Sequence, residues 1–275
     1  DHTEQGFFSP LTVPLLSQYP VMTDGTGTTA AQQQEAQKPG KLVNYLRGQR
    51  GNEGFTVGSL SKLFRKRDSV LGDIIGSQAV YVQAPFANYA ENGYDSFKGA
   101  NALRKPMLYV GANDGMLHAF DATEDLADPL AGTEAWAGIP SAVLPNMYKL
   151  ADSAYSRGQH QFLVDGTPVV GDAYLGGAWK TMLVGGLGKG GNRYFALNVT
   201  DPGSVTDEAT AQARIMWEFP PVGSNDPPKE MGYRYGKPSC ATQRHMGDWT
   251  VTLGSCNDAA TGLGKRDYLR ARDAP

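Results

Sequence analysis

From residue 77 onward, apolar and polar positions fall into short blocks of strand length. Gln78 to Val82 alternates weakly, and Met107 to Val110 is an apolar run. Asn113, Asp114 and Gly115 follow, and a second run extends from Met116 to Phe120. Asn-Asp-Gly between two such runs predicts a β-hairpin, because these residues tolerate the positive φ of tight primed turns. The order recurs: Lys180 to Val184, a glycine-rich turn and Tyr194 to Val199, then Trp249 to Leu253, a polar turn and Tyr268 to Asp273. Overlaying Leu117–Ala122, Phe195–Val199 and Leu269–Ala274 brings Asp121, Asn198 and Asp273 to equivalent places, at spacings of 77 and 75 residues. A nearly constant spacing signals a repeat architecture.

The first two of these strands lead on to a tryptophan in a strand-like setting, Trp136 and Trp217. Four antiparallel strands per unit make the blade of a β-propeller. Both tryptophans read as packing residues between blades, since a buried indole covers on the order of 200 Å². The period exceeds the roughly 40–50 residues of compact blades, so the loops carry insertions. One holds a short helical stretch from Pro145 to Ala151, and another is the run from Pro220 to Pro228. The insertions at 123–160 and 200–230 are the expected recognition surfaces, since loops on a rigid scaffold carry binding.

The N-terminal pattern differs. Residues 1–40 read as an extended or irregular arm, turn-rich from Thr23 to Thr29 and glutamine-rich from Ala30 to Lys38. Leu42, Tyr45 and Leu46 then recur at helical spacing behind Pro39. The expected organisation is an arm over 1–40 and a partial propeller over 41–275.

Composition fits short strands and tight turns. Glycine is 34 of 275 residues, well above the roughly 7% of average usage. Hydrophobic residues at 40% suffice for a core. A net charge of −3 disfavours a dedicated nucleic-acid partner. No apolar run approaches the 18 or so residues of a transmembrane segment.

Two cysteines, Cys240 and Cys256, exclude a disulfide-dense scaffold and a four-cysteine zinc site. They flank a predicted hairpin turning near Gly247 and Asp248, which would set them nearly opposite. A cross-strand disulfide and two semi-buried thiols are equally consistent with this. Gly186, Gly188 and Gly191 match a dinucleotide fingerprint by letters. A strand rather than a helix follows, so they read as a hairpin turn. His2, His118, His160 and His245 lack metal-ligand spacing, and His118 reads as a hydrogen-bonded structural histidine. Asp114, Asp165 and Asp172 stand beside glycines and read as turn residues. No catalytic, cofactor-binding or metal-binding set emerges.

The text from Leu108 to Ala122 is close to the generic repeat of quinoprotein-type propellers. A more specific likeness covers about residues 41 to 254. Its motifs are Arg47-Gly48, Arg67 to Ile74 with Ser77, Ile139 to Ala142, His160 to Phe162, Val164 to Pro168, Trp179 to Thr181, Gly185 to Gly191, Met231 to Tyr233 and Tyr235 to Pro238. In this order they resemble the start of the C-terminal propeller of PilC/PilY-type type IV pilus proteins. The resemblance implies an extracytoplasmic protein at the pilus tip, cell surface or outer membrane. It implies roles in pilus assembly, retraction control and adhesion, with minor pilins and a host or abiotic surface as partners, and no enzymatic activity. Some members carry a calcium loop of alternating Asp and Asn; Asn225-Asp226 and Asp125 to Asp128 lack its spacing. The alternatives are a quinoprotein-like oxidoreductase and a scaffold propeller of an envelope assembly machine. A quinoprotein enzyme needs a calcium-bound cofactor site and a channel Asp that this text does not supply. The expected fold is all-β: a partial quinoprotein-like propeller, truncated or open, of about three four-stranded blades with short helical insertions. Propellers close with 4–8 blades, so 275 residues read as part of a larger surface protein.

Overall fold

The computed structural model of the chain describes residues 29–38, 40–125, 127–155, 157–219, 239–243, 248–254 and 266–270. Helix α1 (Ala30–Ala36) and helix α2 (Lys41–Leu46) lead into an irregular stretch, then β1 (Val80–Val82), helix α3 (Tyr94–Ala100), β2 (Met107–Gly111), β3 (Leu117–Asp121) and β4 (Glu134–Gly138). A short helix α4 (Leu144–Met147) and two 3-10 turns precede β5 (Val169–Leu175), β6 (Ala178–Gly186) and β7 (Tyr194–Asn198). Helix α5 (Glu208–Gln212) separates β7 from β8 (Ile215–Phe219), and β9 (Ser239–Gln243), β10 (Asp248–Gly254) and β11 (Arg266–Arg270) end the series.

The strands form sheets β1-β2-β3-β4 and β5-β6-β7-β8 and a three-stranded sheet β9-β10-β11, with every described pair antiparallel. The three sheets are successive blades, and among the described residues they do not close into a ring. The first strands of neighbouring blades lie together, β1 against β5 and β5 against β9. The 77-residue repeat is visible in the backbone. A bulge falls between Ala119 and Phe120 in the first blade and between Ala196 and Leu197 in the second, and the tryptophans stand at matched places, Trp136 opposite Ala119 and Trp217 opposite Ala196.

The main core lies between the first two blades. It joins Tyr109 and Trp136 of the first to Leu183 and Phe195 of the second, and it extends to Tyr45 of α2 and Phe64. Strand alternation explains this: Met107, Tyr109 and Gly111 share a face with their ladder partners Asp121, Ala119 and Leu117. A second cluster packs α3 onto β5 and β6 through Tyr94, Leu175 and Trp179.

Several sequence expectations change. Ala30 to Ala36 is a helix rather than an extended arm. Thr29 caps it by accepting the Gln32 amide at 3.2 Å, and the buried Gln32 side chain bonds the 56–62 loop at Thr56 O (2.9 Å) and Gly58 N (2.9 Å). Locally this stretch has no apolar stripe; tertiary hydrogen bonds hold it. The hairpin after β2 is not a primed turn. Gly115 N–H donates to Ala112 O at 3.2 Å and Gly115 alone takes positive φ (94°), giving a three-residue loop that ends on a left-handed glycine. In the third blade Asp248 is a strand residue paired with Gln243, so the hairpin is centred about two positions earlier than Gly247 and Asp248. Cys240 falls opposite Val251, and Cys256 lies outside the described residues.

Candidate functional site

The region where the first two blades meet concentrates buried polar chemistry. Residues 72–76 cross the hairpin ends of the first blade and are tied down by turn aspartates. Asp114 Oδ2 accepts Gly72 N–H at 2.8 Å, and Asp165 Oδ1 accepts Gly76 N–H at 2.8 Å. Asn113 bonds Asp73 and also accepts Leu163 N–H at 3.1 Å. The approach is close enough to require glycine: a Cβ on Gly72 would lie 2.3 Å from Asp114 N. His160 Nε2 reaches Asp73 Oδ2 at 2.8 Å. This seam borders a cleft of about 420 Å³ that also takes in Arg65, Asp68 and Tyr155.

His118 sits beneath the seam, buried on β3. Its Nδ1 lies 2.6 Å from Glu134 Oε1 and its Nε2 3.1 Å from both oxygens of Asp114. Burial alone would lower the imidazole pKa. The charge of Asp114 and the hydrogen bonds to Asp114 and Glu134 outweigh it and push the ring up to about 10. Burial likewise opposes ionisation of Asp114, but the facing His118 and the amides of Gly72 and Met116 hold that carboxyl below its usual range. The result is a charged histidine clamped between two carboxylates, a structural element that is not poised for proton transfer near neutral pH.

A second, partly buried network links the end of β1 to β5. Arg104 Nη1 donates to Thr181 Oγ1 at 2.7 Å, and that hydroxyl donates to Asp172 Oδ1 at 2.6 Å. Asp172 Oδ2 accepts the Tyr94 hydroxyl at 2.7 Å, and Arg104 also bonds Gln83 O. Burial lowers the Arg104 pKa and raises that of Tyr94. Above this network is a cleft of about 610 Å³, lined by residues 78–87 and 167–172 with Tyr89, Arg104 and Thr181. Asp172 was legible as a polar residue beside a glycine, and Thr181 is its ladder partner on β6, but Tyr94 and Arg104 come from an insertion whose local sequence carries no signal for them.

Trp136 is buried in the core shared by the first two blades, and Trp217 is half-buried against the second cluster. Gly186 to Gly191 sits where β6 turns into β7, with Leu187 N–H donating to Arg193 O at 3.1 Å. No helix follows that turn to hold a phosphate. Among the described residues no group of three or more His, Cys, Asp or Glu is placed to hold a metal, and no helix is long and apolar enough to cross a membrane. His2, His245, Asn225-Asp226 and Asp273 lie outside the described residues.

Blades of four antiparallel strands, with first strands adjacent and a shared bulge, define a segment of a β-propeller. Residues 71–270 match the PilY1 beta-propeller domain, and the chain belongs to that family. Relatives include the type IV pilus biogenesis factor PilY1 of Pseudomonas aeruginosa strain PAK, 42% identical over 232 residues, which covers 80% of this chain and 18% of the relative. A PilY1 homolog of Xylella fastidiosa is 38% identical over 239 residues, covering 83% of this chain and 17% of the relative. Among solved structures, the P. aeruginosa PilY1 C-terminal domain superposes with a TM-score of 0.51 at 34% identity, covering 70% of this chain and 35% of that one. The chain thus spans under a fifth of the length of these curated relatives.

Proposed function

We propose that this chain is the part of a type IV pilus biogenesis factor that supports pilus assembly by binding other pilus proteins, without catalysing a reaction. The family match across residues 71–270 carries this reading. The insertions favour it as well. The segment between β4 and β5 buries Val143, Leu144, Met147 and Leu150, so it is an ordered platform on the blades. The segment after β7 carries α5, whose Asp207 cap and Thr210 form a capping box, and Glu208 bonds Arg47 of the residue after α2 at 2.8 Å. Ordered loops on rigid blades cost little entropy on binding. Minor pilins are the proposed partners, at the pilus tip or cell surface, with retraction control and adhesion as consequences.

In-frame deletion of residues 71–270 from the chromosomal gene is expected to abolish surface pili and twitching, with restoration by the wild-type copy. Normal piliation in the deletion strain would reject the reading. A purified chain that oxidised alcohols with an added quinone and dye would instead favour the oxidoreductase alternative.

A further inference from the structure

Among the described residues, β1 and β5 are the terminal strands of their sheets, each hydrogen-bonded to a neighbouring strand on one edge only. Both free edges border the same cleft of about 610 Å³, a volume within the roughly 300–1,000 Å³ of binding pockets. Val80 and Val170, one from each strand, are half-buried in its lining and pack on the core. Pro85 and Phe86 also line it; Pro85 is buried, whereas Phe86 is 86% exposed.

The charge in this cleft is specific. Of the lining residues only Arg104 and Asp172 are charged. They meet through the Thr181 hydroxyl, at 2.7 Å and 2.6 Å, so their charges are spent on each other. An incoming charged side chain would lose water and find no partner. An apolar one escapes that cost, while free strand edges offer main-chain donors and acceptors to an extended backbone.

We propose that this cleft receives an extended, uncharged segment of a partner polypeptide, which adds as a strand to the free edge of β1 and sets an apolar side chain against Phe86. Main-chain pairing would supply affinity, and the neutral walls would supply selection. The source of the segment rests on the pilus-assembly reading above: it is a pilus subunit.

The test uses the 275-residue chain and overlapping synthetic peptides of about 12 residues that tile the pilin and minor pilins of the same organism, followed by fluorescence polarisation. Uncharged, β-prone peptides are expected to bind. Phe86→Ala, at an exposed side chain, is expected to weaken them about tenfold with unchanged thermal stability. Tyr81→Lys, at an exposed lining residue of β1, is expected to do the same by placing a charge in the cleft. N-methylation of alternate peptide amides is expected to abolish binding. Absence of any binding peptide, equal binding to Phe86→Ala, tolerance of N-methylation or displacement by neutral oligosaccharides would each overturn the inference. In cells, normal piliation with Phe86→Ala would sink it and leave the pilus role standing, whereas normal piliation in the deletion strain would sink that role itself.

Discussion

His118 Nε2 lies 3.1 Å from each carboxylate oxygen of Asp114, four residues earlier in the hairpin turn of the first blade. The pair joins a strand to a turn, and Asp114 passes the link on to Gly72. Raising the histidine pKa from 6.5 to about 10 stores stability in the protonated ring. That stability is complete below the unfolded value of 6.5 and is lost as pH rises through about 10. Thermal midpoints of the wild-type chain are therefore expected to fall between pH 7 and pH 10. His118→Gln is expected to cost about 3–5 kcal/mol at pH 7, because it strands two buried carboxylates. Its midpoint should also vary much less over that pH range. Parallel pH curves for the two proteins would show that the ring charge contributes nothing.

Gly166 and Gly99 predict opposite responses to the same substitution. A Cβ on Gly166 would lie 2.1 Å from Gly186 O, a backbone atom that cannot swing aside. A Cβ on Gly99, in α3, would meet nothing within 4 Å. Gly166→Ala is expected to destabilise by about 1–3 kcal/mol through overpacking. Gly99→Ala is expected to stabilise by about 0.5–1 kcal/mol, since alanine restricts the unfolded chain and favours helix. Urea unfolding of the two variants measures both signs.

Arg67 and Glu53 hold the N-terminal segment with a buried ion pair, Nε to Oε1 at 2.6 Å. Arg67 also donates to Tyr45 O at 2.7 Å and lies over the Tyr45 ring at 3.8 Å. Arg67→Met alone is expected to cost about 3 kcal/mol, because the enclosed Glu53 is left with the half-exposed Arg50, 3.4 Å away, in place of its buried partner. Glu53→Leu with Arg67→Met should recover a good part of that loss. A double-mutant cycle in urea reads the coupling, and additive losses would mean that the pair acts as two independent side chains.

The blades were legible because their signal is local. Strand-length apolar blocks, glycine turns and the recurrence of Asp121 at Asn198 depend on residues close together in the chain. The helix at Ala30–Ala36 was not legible, because Gln32 is buried by bonds to residues more than 20 positions away. The same holds for the cleft between β1 and β5. Asp172 and Thr181 face each other across the β5–β6 hairpin, but only the packing of an insertion from the first blade onto the second brings Arg104 and Tyr94 to them. The hairpin of the third blade was misplaced for a related reason: symmetry about two cysteines is no guide to register, whereas ladder partners are.

Asp121 and Asn198 close the third strands of the first two blades with the same turn. Asp121 Oδ1 accepts the Thr123 amide at 2.9 Å and its hydroxyl at 2.6 Å; Asn198 Oδ1 accepts the Thr200 amide at 3.1 Å and its hydroxyl at 2.6 Å. Only the first has a further partner, since Lys105 Nζ lies 2.5 Å from Asp121 Oδ2. An asparagine at 121 would keep the turn and lose the charge pair, whereas an alanine loses both. Asn198→Ala is therefore expected to cost about 1 kcal/mol, as removal of a side-chain cap does elsewhere. Asp121→Ala should cost more, by about the 1.5–3 kcal/mol of a charged hydrogen bond. Asp121→Asn should fall between wild type and Asp121→Ala, and Lys105→Met should lower the stability of wild type but not of Asp121→Asn. Chemical denaturation of the four single variants and of the Asp121→Asn, Lys105→Met double variant separates these outcomes. If Asp121→Asn were as damaging as Asp121→Ala, the turn would contribute nothing and the ion pair would account for the whole effect.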